Sequence, residues 1–380
     1  MPTGRFSFPT AIHFGPGSRH KLADFLKGRG FQRPLLVTDR GLADLPAFTS
    51  LVDELRLADL ECAVFSGVWG NPVRSQVTAG VEAFRVSNSD CMVGVGGGAA
   101  LDVCKAVALM VHHPGDLFDY EDDLPGARPV DQALPFWAAL PTTAGTGSEV
   151  GRSAVISDDD SHVKKIVFDP RLLAQAVFAD PELTLGLSPG LTAATGMDAL
   201  THCVEAYLAK AYHPICDGIA LQGLRLASRS LPRCVVTPGD LDARGDMLMA
   251  SMMGALAFQK GLGVVHSCAH ALSAAADLHH GLANGVMLDH ALAFNAPAVP
   301  ERFEALALAV GLKQGGPEAF LAWVKNLKKQ IGIPAGLAAA GVAKDLGPKL
   351  AELAFRDACH PSNPRPVSQR DFEAIFAAAR

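Results

Sequence analysis

The first 185 residues alternate short apolar runs with segments of helical periodicity. Four runs have the length and composition of buried strands: PLLVTDRG (34–41), LECAVFSGV (60–68), DCMVGVGGG (90–98) and FWAALPTTAGTGSE (136–149). All but the second end in glycine or polar residues. The stretch after the third run, AALDVCKAVALMV, has helical spacing. Strands that alternate with helices predict a parallel sheet covered on both faces.

The pattern changes near residue 185. Chain breakers at Pro181, Gly186, Pro189 and Gly190 precede Ala-, Leu- and Met-rich segments such as MDALTHCVEAYLAKA and GDMLMASMMGALAFQK. These segments have the periodicity of helices, and strand-like runs mostly disappear. The sequence therefore predicts an α/β domain over 1–185 and an all-helical domain over 186–380.

Composition narrows the class of protein. With 380 residues and 49% hydrophobic content, the chain can build two cores. A net charge of −6 without basic runs argues against nucleic-acid and membrane partners. No apolar stretch is long enough to span a bilayer, and the N-terminus lacks the apolar core of a signal peptide. The eight cysteines include no C-x-x-C pair, so we expect free thiols in the cytoplasm.

Two loops carry signals for a nucleotide. GVGGGAALDVCK (94–105) follows a strand and opens a helix, where backbone N–H groups can bind a pyrophosphate. The spacing is not G-x-G-x-x-G, and tight packing without a ligand is an equal alternative. PTTAGTGSE (141–149) adds short hydroxyl donors between glycines, although a Ser/Thr turn would look the same. Two such loops at the ends of neighbouring strands favour a Rossmann-like, dinucleotide-binding domain.

Charged residues near these loops have two interpretations each. Asp39 ends the first strong strand, where a carboxylate can bind a ribose diol and would repel a 2′-phosphate. A helix N-cap is the alternative for Asp39. Lys164 and Lys165, in HVKKIVFDP, could lie near phosphates or be solvated.

Histidines are concentrated in GLGVVHSCAHALSAAADLHHGLANG (261–285), which holds four of the chain's thirteen. His266 and His270 are four residues apart in a helical pattern, as are Asp198 and His202 on another segment, so each pair projects from one helix face. His280 follows fourteen residues after His266. A single histidine in such a place is more often a hydrogen-bonded core or surface residue. One carboxylate with three imidazoles suits Fe²⁺ or Zn²⁺, with a position open for substrate.

These segments together resemble a known family. GGGAALDVCKA, PTTAGTGSEV, DPELT, LTAATGMDALTHCVEAY, GVVHSCAHALSA, HHGLANGVML and DACHPSNPR are similar to motifs of the iron-containing (group III) alcohol dehydrogenases, nearest the lactaldehyde reductase and 1,3-propanediol dehydrogenase branch. The resemblance covers nearly the whole chain. It implies a metal held by Asp198, His202, His266 and His280, with the HG of the last motif selecting His280 over His279. It also implies that His270 lies near substrate and cofactor.

The resemblance extends to the cofactor and the activity. It implies NAD(H)-side positions at Asp39, Asn71, Gly97, Gly98, Thr142, Thr143, Thr146 and Lys164, and we assign Asp102, in the helix after the glycine turn, to the same site. The usual serine after the three glycines is Ala99 here, which removes one hydroxyl donor. We expect a metal-dependent NAD(H)-linked alcohol dehydrogenase or aldehyde reductase that acts on a small primary alcohol or diol and forms a homodimer or a higher homo-oligomer.

Three alternatives remain at this point. The same fold could serve a lyase like dehydroquinate synthase, which regenerates bound NAD, or a maleylacetate reductase-like enzyme. The helical half has few basic residues near the proposed ligands, which disfavours the phosphorylated or carboxylated substrate of the lyase. A non-catalytic binding protein is the third, and the presence of all four ligand types argues against it.

Overall fold

The computed structural model describes residues 7–8, 10–122, 124–161 and 163–380. The chain forms two compact units. The α/β unit contains Phe8–Thr143 and Ser148–Thr184. The helical unit contains Leu185–Arg380 together with the short segment Ala144–Gly147. The predicted fold class, with a parallel sheet in the first half and helices in the second, matches this arrangement.

The α/β unit is built on a six-stranded parallel sheet with the strand order β1-β8-β5-β4-β2-β3. Its strands are β1 (Ala11–Phe14), β2 (Pro34–Asp39), β3 (Ala63–Val68), β4 (Cys91–Gly96), β5 (Trp137–Pro141) and β8 (Ala176–Ala179). Every residue of β4, β5 and β8 is buried. These strands read as continuous apolar runs because a parallel sheet is covered on both faces.

Five helices of this unit connect the strands. They are α1 (Leu22–Lys27), α2 (Arg40–Ala43), α3 (Pro46–Leu57), α4 (Arg74–Val86) and α5 (Gly98–Met110). The side chains of Leu51 and Leu55 on α3 pack with Val93 of β4 and Phe178 of β8 in one hydrophobic core. The βα turns after β2 and β4 therefore sit on a rigid support, and these turns carry Asp39 and the glycine motif.

A small antiparallel hairpin was not predicted. It consists of β6 (Ser153–Ser157) and β7 (Lys164–Phe168). The backbone N–H of Ser157 donates to the carbonyl of Pro72 at 2.8 Å, which attaches the hairpin to the loop before α4. In β7 only Val167 is buried, so the segment lacks the apolar run by which the central strands were recognised.

The helical unit contains nine α-helices among its described residues. They are α6 (Pro189–Leu208), α7 (Pro214–Val236), α8 (Leu241–Ala257), α9 (Val264–Ala276), α10 (His280–Asn295), α11 (Pro300–Ala309), α12 (Pro317–Gln330), α13 (Gly347–Arg356) and α14 (Gln369–Ala378). Ser188 caps α6 by accepting a hydrogen bond from Leu191 N, and Pro189 occupies the first turn. From Thr192 to Ala206 every residue of α6 is buried. Polar residues of α6 are therefore held in the interior.

In the described part of the chain, no single helix has the length and apolar composition to cross a membrane. One bent pair, Leu241–Lys260 with Val264–Ala276 at 107°, meets those two criteria when its members are taken together.

A buried carboxyl follows β5. Glu149 lies in the short turn Ser148–Val150 and is 1% exposed, and its Oε1 has no hydrogen-bond partner among the described residues. Burial raises the pKa of Glu149 to about 7, although the nearby Lys105 opposes the shift. The folded protein therefore binds the proton of Glu149 more tightly than the unfolded chain does.

We predict that Glu149→Gln makes unfolding less sensitive to pH. Below pH 4.5 the carboxyl is protonated in both states, so it adds no pH dependence. As the pH rises from 4.5 to about 7, the unfolded chain ionises first, and the parent protein loses at most about 3 kcal/mol of stability. In thermal unfolding from pH 4.5 to 8, the Tm of the variant should rise relative to the Tm of the parent as the pH increases. Parallel Tm curves would contradict this expectation.

Candidate metal and cofactor site

Two of the predicted metal ligands lie on α6, one helical turn apart. Asp198 and His202 project from the same face because residues four apart in a helix are neighbours. They are 2% and 5% exposed. Nε2 of His202 lies 3.8 Å from Oδ1 of Asp198. α6 therefore places a carboxylate beside an imidazole inside the helical unit.

The other two predicted ligands come from α9 and α10. In the first turn of α9, His266 places its Nε2 3.7 Å from Oδ1 of Asp198. His280, the first residue of α10, places its Nε2 3.4 Å from the same oxygen. Gly281 permits this approach, since a Cβ at position 281 would clash with the carbonyl oxygen of Ala194 on α6. The three helices thus bring all four side chains together.

Burial and mutual charge set the protonation of this cluster. Burial opposes the charged form of Asp198, but His202, His280 and His266 outweigh it and hold the pKa of Asp198 well below its usual range. Burial lowers the pKa of His202 to about 4. Burial acts in the same sense on His266, but hydrogen bonds and charge from Asp198 and Glu205 prevail and raise its pKa to about 9. The cluster therefore favours positive charge at its centre.

The donor set and its spacing fit a divalent transition metal. Carboxylate oxygen with imidazole nitrogen suits Fe²⁺ and Zn²⁺. Ligand atoms held at about 2.1 Å from a tetrahedral ion lie about 3.4 Å from one another. The three imidazole nitrogens lie 3.4 to 3.8 Å from Oδ1 of Asp198. Oδ1 of Asp198 therefore lies close to a ligand–ligand distance from each imidazole nitrogen, and the ligand atoms of Asp198, His202 and His266 all lie within 4.8 Å of one another.

The side-chain amide of Asn284 lies among the predicted metal ligands. Nδ2 of Asn284, on α10, donates to Oδ1 of Asp198 at 2.7 Å. It also lies 3.3 Å from Nε2 of His266 and 3.2 Å from Nε2 of His280. The two hydrogens of this amide can be donated to Asp198 and to one ring nitrogen that carries a lone pair. An acceptor-lined site of this kind suits a cation.

His270 lies on α9, one turn after His266, and its ring stacks on His280 with centroids 5.1 Å apart. Its Nδ1 is 2.7 Å from Oδ2 of Asp357, and its side chain is 31% exposed. Oδ1 of Asp357 accepts from Ser267 Oγ at 2.7 Å and Cys359 N at 2.9 Å. Burial opposes ionisation of Asp357, but His270 and these donors keep its pKa well below the usual range. Asp357 therefore fixes the His270 ring through Nδ1.

In the α/β unit, Asp39 is the helix N-cap that the sequence offered as one of two interpretations, and its contact with a ribose stays a prediction. Its Oδ1 accepts a hydrogen bond from Leu42 N at 2.9 Å, so it is the N-cap of α2. Its Oδ2 faces Gly96, where an added Cβ would lie 3.4 Å away. Gly96 has a φ of 153°, a backbone conformation that favours glycine. The N-cap carboxylate thus lies beside the glycine turn.

Four predicted cofactor residues meet at the start of α5. Gly97 is the N-cap of α5 and Gly98 its first residue. The N–H of Thr142 donates to the carbonyl of Gly96 at 3.0 Å. The side chain of Thr143 would lie 3.2 Å from a Cβ on Gly97. The free N–H groups of a helix start therefore face a hydroxyl-bearing loop, an arrangement that suits a pyrophosphate.

Asp102 is engaged within the α/β unit. Its Oδ1 accepts from Ser148 Oγ at 2.6 Å and from Lys105 Nζ at 3.2 Å, and its Oδ2 accepts from Val155 N at 3.1 Å. Lys105 is fully buried and also donates to the carbonyl of Ser153 at 2.8 Å. Asp102 thus ties α5 to β6, and a direct contact with the cofactor stays a prediction.

The loop PTTAGTGSE is divided between the two units, and its middle part, which includes Thr146, belongs to the helical unit. A Cβ on Gly145 would lie 2.9 Å from the Cβ of Thr195 on α6. A Cβ on Gly147 would lie 2.8 Å from the carbonyl oxygen of Ser251 on α8. Close packing on helices explains these two glycines, and it holds Thr146 in place.

The remaining two cofactor predictions fall near the hairpin. Asn71 is exposed in the turn between β3 and α4, immediately before Pro72. Lys164 begins β7 and pairs with Ser157, whose N–H binds Pro72. The structure therefore brings the neighbourhoods of Asn71 and Lys164 together at one edge of the α/β unit.

Sequence reasoning missed three residues that surround the histidines: Glu205, Asn284 and Asp357. The ring that Glu205 contacts, His266, is 61 positions away, but Asn284 follows His280 by four positions, so helical spacing places it near that histidine. That spacing was a usable signal. Asp357 lies in the quoted DACHPSNPR segment, but its partner His270 is 87 positions away in sequence.

Comparisons with known proteins identify the family of the chain. Residues 9–181 match the family model described as iron-containing alcohol dehydrogenase, and residues 192–380 match the C-terminal part of the Fe-containing alcohol dehydrogenase family. The chain is 40% identical to 4-hydroxybutyrate dehydrogenase of Cupriavidus necator over 97% of each protein. It is 36% identical to NAD-dependent methanol dehydrogenase of Bacillus methanolicus, covering 98% of this chain and 99% of that one.

A solved structure gives the same result. The crystal structure of a 1,3-propanediol oxidoreductase matches with a TM-score of 0.94 and 37% identity, over 99% of this chain and 100% of that one. The fold and the family matches define a metal- and NAD(H)-dependent oxidoreductase of alcohols and carbonyl compounds. The chain belongs to the iron-containing alcohol dehydrogenase family. The resemblance, the fold class and the cofactor prediction are thereby confirmed, and the lyase and maleylacetate reductase alternatives are not favoured.

Proposed function

We propose that this enzyme interconverts a small primary alcohol or diol and its aldehyde with NAD(H), at a divalent metal held by Asp198, His202, His266 and His280. The observation that carries the proposal is the approach of three imidazole nitrogens, from three helices, to one buried carboxylate oxygen of Asp198. The proposal also rests on the chemistry of the relatives, because 4-hydroxybutyrate, methanol and 1,3-propanediol all carry a CH₂OH group. Fe²⁺ is our first choice of metal, and Zn²⁺ fits the same donor set.

The chain's own residues supply binding, orientation and proton handling. When bound, the metal provides Lewis acidity that favours loss of the hydroxyl proton, and NAD⁺ provides the hydride acceptor. Asp357 holds His270 through Nδ1, which leaves Nε2 to take up or return that proton. The burial of Asp198 and His266 limits the access of water to the ligand atoms.

The α/β unit supports a preference for NADH over NADPH. The carboxylate of Asp39 lies at the end of β2 beside the Gly96 turn. A carboxylate there can accept hydrogen bonds from the ribose diol, and it would repel the 2′-phosphate of NADPH. Gly97, Gly98, Thr142 and Thr143 lie at the start of α5, where we place the pyrophosphate.

The experiment that tests the function uses metal-stripped protein reconstituted with Fe²⁺ or Zn²⁺. It is assayed with NAD⁺ against a panel of primary alcohols, diols and ω-hydroxy acids, and with NADH against the matching aldehydes. We expect net NADH turnover that disappears on chelation and returns with the metal. Bound NAD without net turnover of added cofactor would instead favour the lyase alternative.

We predict that two histidine variants separate metal binding from turnover. His266→Ala should lose bound metal and activity together, as should Asp198→Ala, because each removes a ligand. His270→Ala should keep its metal, and its kcat/KM should fall by about a hundredfold, which is the typical contribution of one proton-transfer group to the rate. Elemental analysis and kcat/KM against pH are measured for each variant after circular dichroism has shown a folded protein. Full metal content in His266→Ala would contradict the ligand assignment, and metal loss in His270→Ala would make His270 a ligand.

We predict that Asp39→Gly relaxes the cofactor preference towards NADPH. Asp39→Asn is the sharper variant, because its side-chain oxygen can still cap Leu42 N while the charge is removed. The measurement is kcat/KM for NADH and NADPH, with the exposed Asp44→Asn as the matched control. Equal kcat/KM for both cofactors in the parent enzyme would remove the basis of the prediction.

We also propose a cytoplasmic homodimer. All eight cysteines are free thiols, which suits a reducing compartment. Among the described residues β1 pairs only with β8, and its Ile12 and Phe14 are 37% and 44% exposed. An open apolar strand edge favours pairing with another chain. Sedimentation of the parent protein should give twice the 39.8 kDa chain mass. Ile12→Lys should weaken the dimer. The control variant Leu57→Lys, which changes an exposed residue at the end of α3, should not. A monomeric parent protein would contradict this proposal.

A further inference from the structure

We propose that Glu205 is a positioning residue that fixes the ring orientation and tautomer of His266 for metal binding. The inference rests on the proposed metal site. Glu205 is not one of the four ligands, yet it is only 2% exposed and lies behind His266, on the side of the ring away from Asp198.

The contact with the ring is direct. Nδ1 of His266 lies 2.7 Å from Oε2 of Glu205. A carboxylate can only accept, so Nδ1 must carry the proton and donate it. The other ring nitrogen, Nε2, lies on the Asp198 side of the ring, 3.7 Å from Oδ1, and it would present its lone pair there once a metal displaces its proton. Carboxylates that accept from the far nitrogen of a metal-bound histidine orient the ring and make it a stronger ligand.

Glu205 also holds the backbone from which His266 projects. Its Oε1 accepts from Val265 N at 2.7 Å, and its Oε2 accepts from the N–H groups of Gly263 and His266, each at 3.1 Å. Gly263, the N-cap of α9, has no side chain to satisfy these groups. The first turn of α9 is therefore capped by a carboxylate from α6, where negative charge also stabilises the helix N-terminus.

The side chains of Glu205 and Asn363 pack closely against Gly263. A Cβ on Gly263 would lie 2.8 Å from Oε1 of Glu205 and 2.7 Å from Oδ1 of Asn363. Asn363 supports the same turn by accepting from Val264 N at 3.3 Å, and it makes no contact with the His266 ring among its described hydrogen bonds. Asn363 therefore offers a control that weakens the turn without touching the ligand.

The position of Glu205 on α6 links it to the site. Asp198, His202 and Glu205 are spaced by four and three residues, so they form one stripe along the helix. The same helix thus supplies two ligands and the anchor of a third. A shift of α6 would move all three together, which keeps the ligand geometry consistent.

The test is Glu205→Gln in the full-length enzyme. The amide keeps the size of the side chain, but it places an NH₂ group among N–H donors and no longer enforces the Nδ1–H tautomer. We expect Zn²⁺ affinity, measured by competition with a chelator, to fall 10- to 100-fold. The Tm of the metal-free protein is measured in parallel. Asn363→Ala should lower that Tm while leaving Zn²⁺ affinity near the parent value.

The outcomes are distinguishable. Parent-like Zn²⁺ affinity in Glu205→Gln would overturn the inference and leave Glu205 a helix cap only. An equal loss of affinity in Asn363→Ala would overturn it too, because the effect would then come from the turn. If Glu205→Gln does not fold, Gly263→Ala provides a second measurement, because the added Cβ should displace the Glu205 carboxylate and lower the Zn²⁺ affinity. An unchanged Zn²⁺ affinity in Gly263→Ala would overturn the inference. Full metal content in His266→Ala would instead defeat the ligand assignment itself.

Discussion

The close approach of α6 to its neighbours is the constraint on which the candidate metal site depends. A Cβ on Gly281 would clash with the carbonyl oxygen of Ala194, and one on Gly254 of α8 would lie 2.9 Å from the Cβ of His202. Glycine at these positions lets α8 and α10 pack against the backbone of α6. Without that approach, His280 of α10 could not lie 3.4 Å from Asp198. The ligand geometry is therefore a consequence of helix packing rather than of the ligands alone.

Burial of so many polar groups would be costly if they were not matched to one another. Unpaired ionised groups in a protein interior are strongly destabilising, and pairs are tolerated only when hydrogen bonds satisfy both members. Glu205 accepts from three backbone N–H groups and from the ring of His266. Asp198 is opposite three imidazoles and the amide of Asn284. The ring of His266 faces the carboxylates of both Asp198 and Glu205, which outweigh the effect of burial and raise its pKa to about 9. The same negative charge suits the centre to a cation.

Much of this arrangement could be predicted from local sequence, and the rest depends on tertiary contacts. Helical periodicity was enough to place Asp198 beside His202, because both lie on one helix. It could not show that Glu205 binds the ring of His266, 61 positions later, since that contact needs the packing of α6 against α9. The buried strands β2, β4 and β5 were recognised as apolar runs, whereas the four-residue β8 was not, although it is fully buried. The β6–β7 hairpin was not, because β7 buries only Val167.

Glycine-rich segments show most clearly where sequence reasoning reaches its limit. The sequence leaves two explanations open, a backbone that approaches phosphate and tight packing without a ligand, and it cannot say which applies to which glycine. Gly96 needs its φ of 153° and lies at the helix start beside Asp39, as a nucleotide-binding turn would require. Gly145 and Gly147 are instead required by packing on α6 and α8. A glycine indicates a nucleotide site only when its neighbours are free N–H groups and hydroxyls. Those neighbours, supplied by α5 and Thr143, were fixed by the fold and not by the motif.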